Sequence, residues 1–215
     1  MRELNQRIRH LELPDRMKHL PINDQGFPIP FFVPYIDRKP EFRGFDGEKM
    51  VICVRHKRCW LCGEPLGKFM VFVIGPMCAV NRVSAEPPSH RDCALYAVQA
   101  CPFLTQPKMR RNEKDMPEHL EPAGIMLLRN PGVTMMWTTL HYSIFKDGRG
   151  GALFNVGDPV RVEFFAEGRE ATHDEIMASI DSGLPSLRKI AEREGPDAVA
   201  ELTKQYDKAM ELVPA

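Results

Sequence analysis

Cys59-Trp60-Leu61-Cys62-Gly63 and Ser89-His90-Arg91-Asp92-Cys93 are the two stretches that decide how this chain folds. Each carries a pair of metal-ligating side chains separated by two residues, and two such pairs are what a tetrahedral Zn²⁺ site needs. In the first pair a tight turn brings both sulfurs to one point, and Gly63 frees the backbone just after it. The spacing therefore predicts one structural zinc ion held by Cys59, Cys62, His90 and Cys93.

The second pair is expected to lie on the first turn of a helix. Ser89 is a good N-cap, and Asp92 three residues later completes a capping-box pattern. Such a cap places His90 and Cys93 on one helix face, so that both side chains point to the same ion. Spare ligand candidates are His56, Cys78 and Cys101. An iron–sulfur cluster is less favoured, because such clusters are mostly held by four cysteines.

Between the ligand pairs the sequence predicts a β-hairpin. Residues 69–74 form a strand run, Gly75-Pro76 is a turn signal, and residues 77–83 form the return strand. Knuckle, hairpin and ligand-bearing helix in that order resemble the treble-clef zinc finger over residues 55–101. The segment 74–82, with Pro87-Pro88-Ser89-His90 after it, is also similar to uncharacterised bacterial and phage proteins. That resemblance implies an origin but no mechanism.

The cysteine content and the apolar pattern predict a cytoplasmic protein. Six cysteines in 215 residues, four of them in metal-ligand spacing, are typical of a reducing compartment rather than a disulfide framework. The N-terminus has no apolar signal region. No apolar run approaches the ~18 residues that a membrane span requires, so no membrane partner is expected.

The charge balance is neutral overall but uneven along the chain. The sequence holds 29 basic and 29 acidic residues, yet the window 50–114 holds 10 basic and 4 acidic ones. Basic side chains next to a zinc finger can neutralise nucleic-acid phosphates, although short charge runs are usually solvated turns. The nucleic-acid candidates in this region are Arg55, Lys57, Arg58, Arg110 and Arg111.

Composition divides the chain into five parts. They are an N-terminal helix and Pro/aromatic arm (1–48), a zinc module (49–104), a linker or surface loop (105–122), an antiparallel sheet (123–170) and C-terminal helices (171–215). Residues 49–54 read as a short strand, and four or five strands follow residue 123. Thr172 opens the helices with a capping box, Pro185 is expected to start a second segment, and Gly195-Pro196 a third. The fold class predicted is α+β.

Catalysis is not favoured by the sequence. A treble-clef nuclease, the lesser alternative, would need an Asp-His or His-His pair near the end of the first hairpin strand, and residues 69–83 contain no His, Asp or Glu. A closed four-ligand zinc site also leaves no position for a reactive water. The remaining acid–base candidates are His141, His173, Asp174 and Glu175. The last three are better explained as the first turn of a helix.

The sequence thus predicts a non-enzymatic zinc protein of bacterial or phage type that binds a macromolecule. Overall neutrality, the acidic C-terminal part and the Pro/Phe arm favour a protein partner, such as a host assembly bound by a phage product. The basic window favours nucleic acid instead. The apolar stripe of the last helix, from Val199 to Val213, is typical of a core face or of a homodimer seam.

Overall fold

A computed structural model of the chain describes residues 3–107, 109–110, 114, 123–124 and 130–214. The helices among these residues are α1 (Gly47–His56), α2 (Pro76–Asn81), α3 (Arg91–Ala100), α4 (Pro102–Thr105), α5 (His173–Glu194) and α6 (Pro196–Met210). The strands are β1 (Tyr35–Ile36), β2 (Lys39–Pro40), β3 (Met70–Ile74), β4 (Val83–Ser84), β5 (Thr134–Thr139), β6 (Ser143–Lys146), β7 (Ala152–Asn155), β8 (Pro159–Ala166) and β9 (Arg169–Glu170). The predicted α+β class is confirmed.

The strands pair in antiparallel sheets. A four-stranded sheet has the order β3-β5-β8-β9, a three-stranded sheet has the order β4-β7-β6, and β1 and β2 form a separate hairpin. All six residues of β5 are buried, because this central strand is covered on both faces. The strands predicted after residue 130 are found as β5 to β8, whereas the strand expected at 125–129 lies outside the described residues.

Two apolar clusters fill most of the interior. The larger one centres on Trp60, Phe72, Trp137 and Phe154, and α5 and α6 pack onto it through Ile176, Ile180 and the apolar face of α6. A smaller one surrounds the cysteine pairs. The stripe predicted on the last helix therefore lies against α2 and α5, and the homodimer stays a prediction. The larger cluster draws on four of the five predicted parts, and their boundaries also stay a prediction.

The strand predicted at residues 49–54 is wrong, since this run is part of helix α1. Asp46 caps the helix by accepting hydrogen bonds from the Glu48 and Lys49 backbone N–H groups. Met50 and Cys53, three residues apart, are the buried positions. A short apolar run does not distinguish strand from helix by itself, and here the N-cap and the three-residue spacing of the buried side chains decide for helix.

The predicted return strand at residues 77–83 is also wrong, because most of it is helix α2. Gly75 is the N-cap and Pro76 is the first helical residue, where its fixed φ suits a helix and its missing N–H is not needed. The partner of β3 is instead β5, about sixty residues away, with Phe72 opposite Trp137. The hairpin between the ligand pairs is absent, so the treble-clef assignment is not confirmed.

The four predicted helix signals have different outcomes. The capping box at Thr172 is confirmed, and Gly195 separates α5 from α6 as predicted. Helix α5 continues without interruption past the exposed Pro185, so the predicted start of a second segment there is wrong. Ser89 is not a helix cap, because His90 occupies that position. None of the helices in the described part of the chain is long and apolar enough to cross a membrane.

Candidate metal centre

The first ligand pair lies on a tight turn whose backbone closes on itself. The Cys59 N–H donates to the Glu64 carbonyl at 2.8 Å, and the Gly63 N–H donates to the Cys59 carbonyl at 2.9 Å. Gly63 has a φ of +78°, a left-handed conformation that glycine adopts without strain. Between the ligands, Trp60 packs into the larger core and Leu61 into the smaller one, so this turn joins the two clusters.

The second ligand pair is carried to the first by a bridge to β3. Ser89 and Val71 exchange both backbone hydrogen bonds, at 2.9 and 2.7 Å, which fixes the chain just before α3. The backbone N–H of Trp60 donates to the Pro88 carbonyl at 3.2 Å, which connects the chain before α3 to the ligand turn. His90 is the N-cap of α3, and Cys93 follows in the first turn. The predicted three-residue spacing on one helix end thus holds, although the cap is not Ser89.

The four predicted ligand atoms converge. The three sulfurs and one imidazole nitrogen all lie within 4.8 Å of one another. His90 Nδ1 lies 3.4 Å from the Cys62 sulfur and 3.9 Å from the Cys93 sulfur. A tetrahedral zinc site with ordinary bond lengths has edges of about 3.8 Å between sulfurs and about 3.6 Å between sulfur and nitrogen. The cluster therefore has the dimensions of a metal site.

The orientation of the His90 ring also fits a metal ligand. Its Nε2 lies 2.9 Å from the Pro65 carbonyl oxygen, which can only accept, so Nε2 carries the proton and donates. The lone pair is then on Nδ1, the nitrogen that faces the three sulfurs. A ligand histidine that donates its other N–H to a carbonyl is the usual arrangement around protein-bound zinc.

The ionisation of the three buried sulfurs favours a bound cation. Burial alone would raise the pKa of Cys59, but hydrogen bonds from neighbouring thiols, Cys62 first and then Cys93, lower it far below its ordinary value. Hydrogen bonding to Cys59 and Cys62 raises the pKa of Cys93. The neighbouring side chains thus favour a thiolate at Cys59 and disfavour a second one at Cys93. Only a cation at the centre lets all three sulfurs ionise together.

Backbone donors support the same thiolate. The N–H of Cys62 and the N–H of His90 approach the Cys59 sulfur at 3.5 and 3.4 Å. All four ligand residues are buried, the three cysteines at 1% exposure or less. Three thiolates and one imidazole suit a borderline-soft ion such as Zn²⁺ better than Mg²⁺ or Ca²⁺, which prefer oxygen ligands. The residues present therefore fit a structural metal ion.

The spare ligand candidates lie outside this cluster. Within the ranges that the structure describes, these four residues are the one group that could hold a metal ion. Cys53 is buried beside the Cys59 backbone, and burial raises the pKa of its thiol to about 12. Burial likewise raises the pKa of Cys78 to about 11. His56 is exposed on the last turn of α1.

The basic residues next to the centre have separate local roles. Arg55 is exposed on the last turn of α1, where its charge complements the helix dipole, and Lys57 is the exposed C-cap. The Arg58 guanidinium instead turns inward and donates to the Gly63 carbonyl at 2.9 Å, inside the ligand turn. Arg110 is exposed, and Arg111 lies outside the described residues.

Two features of the site were not predicted from the sequence. One is the Pro65 carbonyl, which fixes the imidazole tautomer. The other is the N-terminal segment, whose Ile8, Met17 and Leu20 pack around the ligand pairs. The three- and four-residue spacing of Leu4, Ile8 and Leu11 is typical of a helix. The helix predicted at the N-terminus is nevertheless wrong, because residues 6–10 form turns and Asp15–Met17 form a short 3₁₀ helix. The spacing also does not say against what these residues pack.

Comparisons with protein-family models, with curated proteins and with solved structures gave no match to this chain. The buried Cys₃His cluster defines the protein as one with a candidate structural metal site. The similarity to bacterial and phage proteins stays a prediction from the sequence.

Proposed function

We propose that this protein holds one structural Zn²⁺ through Cys59, Cys62, His90 and Cys93 and works by binding a macromolecule. The observation that carries the proposal is the convergence of four buried protein ligands on one point. Four protein ligands close a tetrahedral site, so the ion would fix the fold and offer no position for a reactive water. Since the ligand turn joins both apolar clusters, the ion would hold the middle of the chain together.

A protein partner is supported by exposed apolar side chains on β1 and on α1, the helix that precedes this turn. Tyr35 in β1 and Val51 and Ile52 in α1 are 50%, 47% and 37% exposed. The ammonium group of Lys49, one helical turn before Ile52, lies 5.9 Å from the centre of the Tyr35 ring, which brings β1 beside α1. Exposed apolar groups clustered on one side of a protein are typical of a binding surface. A phage origin and a host assembly as partner rest on sequence resemblance alone.

Nucleic acid remains the second candidate, supported by the exposed Arg55 and Lys57 at the end of α1. The side chain of Arg58 is already used in the ligand turn, which weakens this candidate. If nucleic acid is the partner, affinity for a random duplex should fall steeply with salt. In that case Arg55→Ala with Lys57→Ala should flatten the slope.

The metal part of the proposal is tested by elemental analysis of the purified chain. We expect about one zinc per chain in the wild type and loss of that zinc in Cys62→Ser, since one sulfur ligand is removed. Cys78→Ser is the matched control and should keep the zinc, because Cys78 lies outside the ligand cluster. A folded wild-type chain without metal would refute the proposal.

The partner part is tested by binding to proteins of the native host. We expect retention of a specific protein that is lost in the double variant Val51→Asp, Ile52→Asp. Ile144→Asp should keep the interaction, because Ile144 is similarly exposed, at 42%, but lies on β6. Equal retention by all variants would show that this surface is not the binding site.

A further inference from the structure

The N-terminal segment, residues 4–27, packs on the candidate metal centre. We name this segment the strap. Its buried residues Ile8, Met17 and Leu20 belong to the cluster that contains Cys59, Cys62 and Cys93. Among the described residues, none of the strap belongs to the larger core cluster. The burial of this segment is therefore tied to the cluster that holds the ligand cysteines and to α3, rather than to the larger core.

The strap is closed at its base. The Asn5 N–H donates to the Gly26 carbonyl at 2.9 Å, which brings the two ends of the segment together. A side chain at Gly26 would place its Cβ 2.5 Å from the Asn5 backbone nitrogen, so this close approach requires glycine. Just beyond it, the Phe31 N–H donates to the Leu61 carbonyl at 2.8 Å, between the first two ligands. The strap is thus a loop anchored on the ligand turn.

Arg16 brings a positive charge from the strap to the second ligand pair. Its Nε lies 2.9 Å from the carboxylate of Asp92, the residue before Cys93. Burial lowers the pKa of Arg16, but the Asp92 carboxylate raises it above its ordinary value. The ion pair thus fastens the strap to the residue next to Cys93.

We propose that the strap closes the metal centre and that Arg16 is the positioning residue that fastens it there through Asp92, so that the strap controls how fast the ion leaves. The inference rests on the proposed zinc site. The cysteine ligands are almost fully buried, and the side chains that cover them include those of the strap. A chelator therefore reaches the ion only after the strap opens. Weakening the strap raises the population of this open state.

The test measures the rate at which zinc passes from the loaded full-length protein to a chromogenic chelator. Ile8→Ala leaves a cavity under the strap, and we expect release at least roughly tenfold faster. Ile176→Ala is the matched control. It removes the same side-chain atoms from a residue equally buried in the larger core, and it should leave the rate near that of wild type. Equal acceleration in both variants would mean that release follows global unfolding, which overturns the proposal.

Two substitutions at exposed arginines test the proposal without altering the core, in case Ile8→Ala fails to fold. Arg16→Gln removes an exposed charge, and we expect release about two- to fivefold faster, as for one weak ion pair. Arg169→Gln removes an arginine in a similar exposed ion pair with Glu175, far from the ligands in the chain, and should change nothing. If Arg16→Gln and Arg169→Gln release zinc at the same rate, Arg16 does not hold the strap closed. Absence of zinc from the wild type would instead refute the metal site itself, so the two failures are distinguishable.

Discussion

Substitution of Gly63 by alanine tests how the ligand turn is built. Gly63 has a φ of +78°, and an alanine Cβ there would lie 2.8 Å from Cδ2 and 3.0 Å from Cγ of the Phe31 ring. The left-handed conformation costs an alanine about 1–2 kcal/mol. Turning the Phe31 ring off its preferred rotamer adds about 0.5–1.5 kcal/mol. We therefore expect Gly63→Ala to lower the free energy of unfolding by roughly 1.5–3.5 kcal/mol.

Gly150→Ala separates the two contributions. Gly150 has a φ of +84°, but a Cβ there meets no atom within 4 Å. Gly150→Ala therefore has the same backbone strain as Gly63→Ala but no steric clash with an aromatic ring. Both variants also share any stabilisation that comes from a less flexible unfolded chain. The difference between the variants is the cost of displacing Phe31, about 1 kcal/mol.

The assay is urea unfolding of both zinc-loaded variants, followed by competition for zinc with a chelator. Strain in the ligand turn should also weaken zinc binding several-fold in Gly63→Ala, because folding and metal binding are linked. Gly150→Ala should keep the wild-type affinity. If both variants lose the same stability and bind zinc equally, Phe31 does not restrain this turn and the reasoning fails.

Three further outcomes are expected. Removing the metal with a strong chelator should lower the melting temperature, and adding back zinc should restore it; a melting curve that ignores the chelator would exclude a structural ion. Hydrogen bonding to Arg169 lowers the pKa of Glu175 from 4.5 to about 2, so its contribution to stability is present above pH 4.5 and is lost as the pH falls toward 2. The stability gap between wild type and Glu175→Gln should close over that range in acid titration, and a gap constant with pH would contradict the assignment. Gly183→Ala should destabilise the protein by about 1–3 kcal/mol in urea unfolding, because its Cβ would lie 2.5 Å from Cγ of Met77 and push α5 away from α2; unchanged or greater stability would show that the two helices have room to spare.

The candidate ligands were predictable because their signal is local. Two residues between Cys59 and Cys62, and two between His90 and Cys93, already restrict each pair to a single turn of chain. The same holds for the capping box at Thr172, in which a side chain bonds a backbone group three residues away.

The errors share one physical cause. Residues 49–54 and 77–83 are short apolar runs, and such runs suit a strand or a helix until their neighbours are known. At residues 77–83 distant residues decided the outcome, since β3 pairs with β5 and α2 packs against α5 and α6. At residues 49–54 the Asp46 cap decided for helix. Helix α5 passes Pro185 for a related reason, because its buried face on either side of the proline holds it to the core.

The sequence by itself determined which four side chains can bind a metal, since their spacing is a property of a few adjacent bonds. It also determined the strands of the second half, whose β-branched and aromatic residues favour extended chain. Only the tertiary structure decided that Arg58 donates to the ligand turn, that Pro65 orients His90 and that the N-terminal segment packs in the same cluster as the ligand cysteines. The last two of these join residues 25 or more positions apart along the chain. Arg58 contacts the Gly63 carbonyl only because the ligand turn folds back toward it. A local sequence pattern does not specify any of these three contacts.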